Sequence, residues 1–110
     1  MTNEQLDGGG REPAPAGGAS GGGELERLRG EIERIDRQLI ALIAERIAIA
    51  QDVGRAKRAS GLPTLDPARE ALLIRRAAGM AREAGVEQEG VRAIFWHLIA
   101  MSRKAQARDV

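Results

Sequence analysis

Arg46 and Lys57 stand in what should otherwise be the apolar seam of one long helix. Between Glu24 and Ser60, Leu25, Leu28, Ile32, Ile35, Leu39, Leu42, Ile49, Val53 and Ala56 recur in alternating threes and fours, the spacing of a face laid against a partner. Arg46 takes a slot where leucine or isoleucine fits. Lys57 follows eleven residues later, about 20° round the helix at roughly 100° per residue. An unpartnered buried cation is costly, so two on one inward face call for an anion between helices. A second anomaly lies near the C-terminus, where the stripe Phe95, Leu98, Ser102, Gln106 ends in a hydroxyl and an amide. Fraying into solvent explains that pair alone; with Arg46 and Lys57 it reads as a polar pocket between helices.

Asp66, Arg69 and Glu70 add charge at the start of another helix, where a cap and two surface charges are the plain alternative. Arg29 sits beside the seam rather than in it, so its use depends on the helix opposite. The chain has a single histidine, His97, directly after Trp96, which reads as a surface or core residue. It has no cysteine, and the sequence shows no nucleophile–base pair, no metal-ligand spacing and no phosphate-binding glycine loop followed by lysine. No metal and no cofactor is expected. Several cations with neutral hydrogen-bond donors suit a small dianion and charge developing within it; they suit proton transfer or covalent catalysis poorly.

Three helices must position these groups. Helix one is predicted from about Glu24 to Ser60, stopped by Gly61 and Pro63. Asp66-Pro67, an N-cap followed by proline, starts helix two, which runs to about Ala84 with Leu72, Leu73, Ala77 and Met80 on its apolar side. Gly85 ends it. Helix three runs from about Glu87 to Arg108 with Val91, Ile94, Phe95, Leu98 and Ile99 inward. No alternating strand pattern occurs, so the class is all-α. Two shorter helices cannot cover a first helix of roughly 54 Å, at about 1.5 Å per residue, so a second copy packing long helix on long helix is expected.

The first 23 residues hold eight of the fourteen glycines, two of the four prolines and one large aliphatic residue, Leu6. Met1–Gly23 is therefore expected to be a disordered tail, and 24–110 the folded domain. From Glu24 on, 16 basic and 13 acidic residues alternate along exposed faces, which argues against a nucleic-acid partner. No stretch approaches the ~20 apolar residues of a membrane span, and the start lacks a secretory signal's pattern. A soluble, cytoplasmic protein is expected.

With these residues assembled, the sequence resembles the all-helical chorismate mutases. The matching stretches are Leu28-Arg29-Gly30-Glu31-Ile32 with Asp36, Leu42-Ile43-Ala44-Glu45-Arg46, Val53-Gly54-Arg55-Ala56-Lys57, Asp66-Pro67-Ala68-Arg69-Glu70, and Ser102 with Gln106. The resemblance covers about Glu24 to Arg108, everything but the tail. The resemblance implies an intertwined homodimer of three-helix chains, with Arg29 donated across the interface to the other chain's site. It implies that Arg46 grips a substrate carboxylate, that Lys57 contacts the ether oxygen and a carboxylate, and that Gln106 donates to the same ether oxygen. Glu70 would accept from the ring hydroxyl, Asp66 and Arg69 would order that end of the pocket, and Ser102 would hydrogen-bond a carboxylate. The implied reaction is the Claisen rearrangement of chorismate to prephenate, on the route to phenylalanine and tyrosine. The alternatives are an isochorismate-pyruvate lyase on the same scaffold, against which Asp66, Arg69 and Glu70 speak, and a non-catalytic helical interaction module, against which Arg46 speaks. A mixed form is a mutase activated by docking onto another enzyme of aromatic biosynthesis.

Overall fold

The computed structural model describes residues 20–108, which form α1 (Ser20–Ala59), α2 (Pro67–Glu83) and α3 (Gln88–Arg108), with no strand among them. The all-α expectation and the order of one long and two shorter helices hold. α1 begins at Ser20 and carries Gly21, Gly22 and Gly23 as helix, four residues before the expected Glu24. Residues 1–19 of the expected disordered tail lie outside the described residues. The chain divides into two bodies, residues 1–41 and 42–110.

In the first body, α1 is a solvated helix laced by ion pairs one turn apart. Arg27 bridges Glu24 at 2.8 Å and Glu31 at 2.5 Å, and Arg37 lies 4.0 Å from Glu33. Its hydrogen bonds to Glu24 come first among the causes that raise the Arg27 guanidinium above its ordinary pKa. Leu25, Ile32, Ile35, Leu39 and Ile40 are exposed, and Leu28 is half-buried.

In the second body, each helix end follows from local chemistry. Gly61 and Gly85 take positive φ (71° and 73°), which only glycine adopts readily, and close paired capping bonds. Leu62 N–H returns to Lys57 O at 2.8 Å, and Val86 N–H returns to Ala81 O at 2.8 Å. Asp66 caps α2, accepting from Arg69 N–H at 3.1 Å, with Pro67 behind it. The Glu87 carboxylate caps α3, accepting from the N–H groups of Glu89 and Gly90 at 2.9 and 2.8 Å.

The core is small and rich in alanine: Ala50, Ile74, Ala77, Ala78, Ala81, Ile99 and Ala105 are buried. The expected inward faces therefore need correction. Leu72, Met80 and Ile94 are exposed, while α2 packs through Ile74, Ala77, Ala78 and Ala81. Short side chains let helix axes come close, so the alanine stripe makes the contact that the larger residues were expected to make.

The seam on α1 also divides. From Leu42 onward the half-buried or buried positions are Ile43, Arg46, Ile47, Ala50, Gln51, Gly54 and Lys57. Leu42, Ile49, Val53 and Ala56 stand roughly a quarter-turn away and are exposed. Arg46 and Lys57 lie where these two stripes meet.

Candidate active site

Gly54 sets how closely α1 and α3 meet. A Cβ added there would lie 2.7 Å from the Gln106 Cα and 2.9 Å from its carbonyl carbon, both backbone atoms rather than the end of a flexible side chain. Arg58, one turn on, donates to the Gln106 carbonyl oxygen at 2.6 Å. These contacts fix the last turn of α3 against α1 and bring the Gln106 side chain over Lys57.

Lys57 Nζ donates to Gln106 Oε1 at 2.8 Å and to the Thr64 carbonyl oxygen at 2.8 Å. The capping turn that ends α1 thus delivers its own acceptor: Leu62 is tied back to Lys57, and Thr64 follows two residues later. An ammonium group has three N–H bonds, so one remains for a ligand. Because Lys57 occupies the Gln106 oxygen, the amide presents its NH2 group as donor.

Arg46 Nη1 donates to Ser102 Oγ, and Ser102 is 8% exposed. The buried hydroxyl thus has a partner, and the guanidinium is oriented by α3. Across from them Glu70, in the first turn of α2, is held by Arg103: Nη2 donates to Oε1 at 2.7 Å and Nε to Oε2 at 3.1 Å. The hydrogen bond to Glu70 raises the Arg103 guanidinium above its ordinary pKa.

These groups wall one open cleft within the second body, about 340 Å³ with the solvent at its mouth included. Seven of the eight expected site residues line it: Arg46, Lys57, Asp66, Arg69, Glu70, Ser102 and Gln106, joined by Thr64, Leu73 and Ile99. The walls carry three cations against Asp66 and Glu70, and Glu70 is already neutralised by Arg103, so the cleft favours an anion. The eighth residue, Arg29, belongs to the first body, where it is exposed and 3.3 Å from Glu26. His97 is exposed on α3. Among the described residues no group of His, Cys, Asp or Glu could hold a metal ion, and no helix is long and apolar enough to cross a membrane.

Arg103, Gly54 and Arg58 were given no role by sequence reasoning, although Gly54 stands in one of the matching stretches. Gly54 had a usable signal, since a glycine inside a helix costs about 1 kcal/mol relative to alanine and so asks for a reason. Arg103 had none: 33 residues separate it from Glu70.

Residues 28–107 match the family described as chorismate mutase type II. A chorismate mutase of Methanocaldococcus jannaschii is 34% identical over 83 residues, covering 76% of this chain and 84% of that protein. A 4-amino-4-deoxychorismate mutase of Streptomyces venezuelae is 34% identical over 65 residues, 59% of this chain and 63% of that protein. Longer relatives are matched over 17% and 19% of their own length. A solved structure of a conserved hypothetical protein from Pyrococcus furiosus superposes with a TM-score of 0.61 at 36% identity, covering 76% of this chain and 95% of that one.

Proposed function

The chain belongs to the chorismate mutase type II family, an isomerase family that rearranges chorismate to prephenate, and we propose that the cleft holding Lys57 and Gln106 is where this chain does so. The reaction is pericyclic: a carbon–oxygen bond breaks as a carbon–carbon bond forms within one molecule. The protein has two tasks, to hold the compact reactive conformer and to stabilise negative charge growing on the ether oxygen.

The pairing of Lys57 with Gln106 at 2.8 Å is the observation that carries this reading. One side chain aligns the other and leaves one ammonium proton and the amide NH2 to serve a shared acceptor, as a developing oxyanion requires. Arg46, steadied by Ser102, takes a carboxylate, and the Ser102 hydroxyl adds a hydrogen bond to it. Glu70 accepts from the ring hydroxyl, while Asp66 and Arg69 order that end of the cleft. The S. venezuelae relative is named for the analogue bearing an amine in place of that hydroxyl; chorismate itself is the substrate proposed here.

The reading includes a homodimer. The exposed stripe of Leu25, Ile32, Ile35, Leu39, Leu42, Ile49 and Val53 on α1 supports it, since so long an apolar row calls for a cover. Arg29, on the same helix, then serves the site of the other copy. A cytoplasmic location is part of the same reading. Docking onto another aromatic-pathway enzyme is supported if specific activity in extract far exceeds that of the purified dimer.

The test is to incubate the purified protein with chorismate and with isochorismate and identify the products. Prephenate from chorismate, with no pyruvate released from isochorismate, is expected; pyruvate as the main product overturns the assignment.

A further inference from the structure

Glu70 enters the cleft from α2 with its side chain 17% exposed, while Arg103 is 42% exposed and stands outside the cleft's walls. Arg103 follows Ser102 on α3, so the turn that offers the Ser102 hydroxyl to the cleft sends the next side chain behind Glu70. There the guanidinium fork takes both carboxylate oxygens, at 2.7 and 3.1 Å. A two-point contact of this kind fixes the plane of the carboxylate as well as its position. Each oxygen keeps acceptor capacity beyond its bond to Arg103, and Glu70 lines the cleft. A ligand meeting this wall therefore meets a carboxylate held still, with its charge already balanced.

That balance discriminates between ring substituents. A hydroxyl needs only an acceptor, which the clamped carboxylate supplies. An ammonium is drawn by Glu70 and Asp66 but repelled by the Arg103 guanidinium, by Arg69 beside Glu70, and by Lys57 and Arg46 on the other walls, so four cations oppose two carboxylates. Partial burial beside Leu73 and Ile99 weakens solvent screening, so the repulsion is felt across the pair.

We propose that Arg103 is a specificity-determining positioning residue: by clamping and neutralising Glu70, it makes this wall of the cleft select a neutral hydroxyl over a cationic amine on the substrate ring. The proposal rests on the mutase reading and on Glu70 facing the ring substituent. Arg103 acts through Glu70 and touches no reacting atom.

The test compares kcat/KM for chorismate and for 4-amino-4-deoxychorismate near pH 7, using the full chain and its Arg103→Gln, Arg103→Lys and Glu70→Gln variants. For Arg103→Gln the chorismate-to-amine ratio is expected to fall at least about tenfold, because a unit charge near the amine is removed. Arg103→Lys, which keeps the charge, is expected to hold the parent's ratio even if both rates drop. Arg103→Met serves in place of Arg103→Gln if circular dichroism shows the latter unfolded. Equal losses on both substrates, with the ratio unchanged, make Arg103 a packing residue and overturn the proposal while the mutase reading stands. A parent that leaves chorismate unchanged refutes that reading and the proposal with it. A Glu70→Gln variant with the parent's ratio shows that Glu70 does not meet the substituent, which also overturns it.

Discussion

Lys57 Nζ and Gln106 Oε1 lie 2.8 Å apart, so the two donors proposed for the ether oxygen hold each other in place. The two residues are 49 apart in sequence and come from different helices, and Gly54 lets those helices approach closely enough for the bond to form. The pair links packing to chemistry, and its members should respond differently to substitution.

Lys57→Ala removes a full charge and the anchor of Gln106. kcat is expected to fall by at least about 10²–10³-fold, the usual loss for one oxyanion donor. Steady-state kinetics on chorismate check this, and a rate equal to the parent's refutes the role given to Lys57.

Gln106→Glu turns a donor into an acceptor facing the electron-rich ether oxygen. The variant is expected to be nearly inactive at neutral pH and to recover partly in acid, as the introduced carboxyl takes a proton and can donate again. The nearby Lys57 ammonium favours the ionised carboxyl and so pushes that recovery to lower pH. The pH–rate profile of the variant is the measurement, and a flat profile rules out the contact.

Gly54→Ala places a methyl group against the Gln106 backbone, where no flexible side chain can yield. Overpacking of this kind costs about 1–3 kcal/mol. A lowered Tm is expected together with a kcat loss, because α3 must retreat and carry Gln106 away from Lys57. A variant as stable and active as the parent shows that the helices meet elsewhere.

Arg29 is proposed to serve the other copy's site, which makes mixed dimers informative. Arg29→Ala and Lys57→Ala are each expected to be inactive alone. Mixed and allowed to exchange, equal amounts are expected to regain up to about a quarter of parental activity, since half the dimers are mixed and each has one intact site. If mixing restores nothing although mass spectrometry shows exchange, Arg29 acts within its own chain; an Arg29→Ala variant active on its own shows that it has no role.

The helices were legible from sequence because their punctuation is local. Gly61 and Gly85 at positive φ, and Asp66-Pro67 at the start of α2, act over four or five residues, and periodicity fills the span between them. Arg46, Lys57, Ser102 and Gln106 were legible as a group because polar residues on apolar faces need a shared explanation; the structure puts all four on one cleft. The choice of packing face on α2 was not legible. Periodicity marks Leu72 and Met80 as strongly as Ala77, and only the approach of α3 selects the alanine stripe. On α1, one row of apolar positions was expected to do all the packing; instead Ile43 and Ile47 are half-buried and Ala50 is buried, while Leu42, Ile49 and Val53 remain exposed. The Arg103–Glu70 clamp depends on the relative rotation of two helices, which no local pattern encodes.

The most direct test follows chorismate absorbance with purified protein, with the product identified at the end and Lys57→Ala run beside the parent. Stoichiometric conversion to prephenate by the parent, lost in the variant, is the predicted result. Unchanged chorismate with the folded parent, or turnover that survives in Lys57→Ala, contradicts catalysis by the Lys57–Gln106 pair.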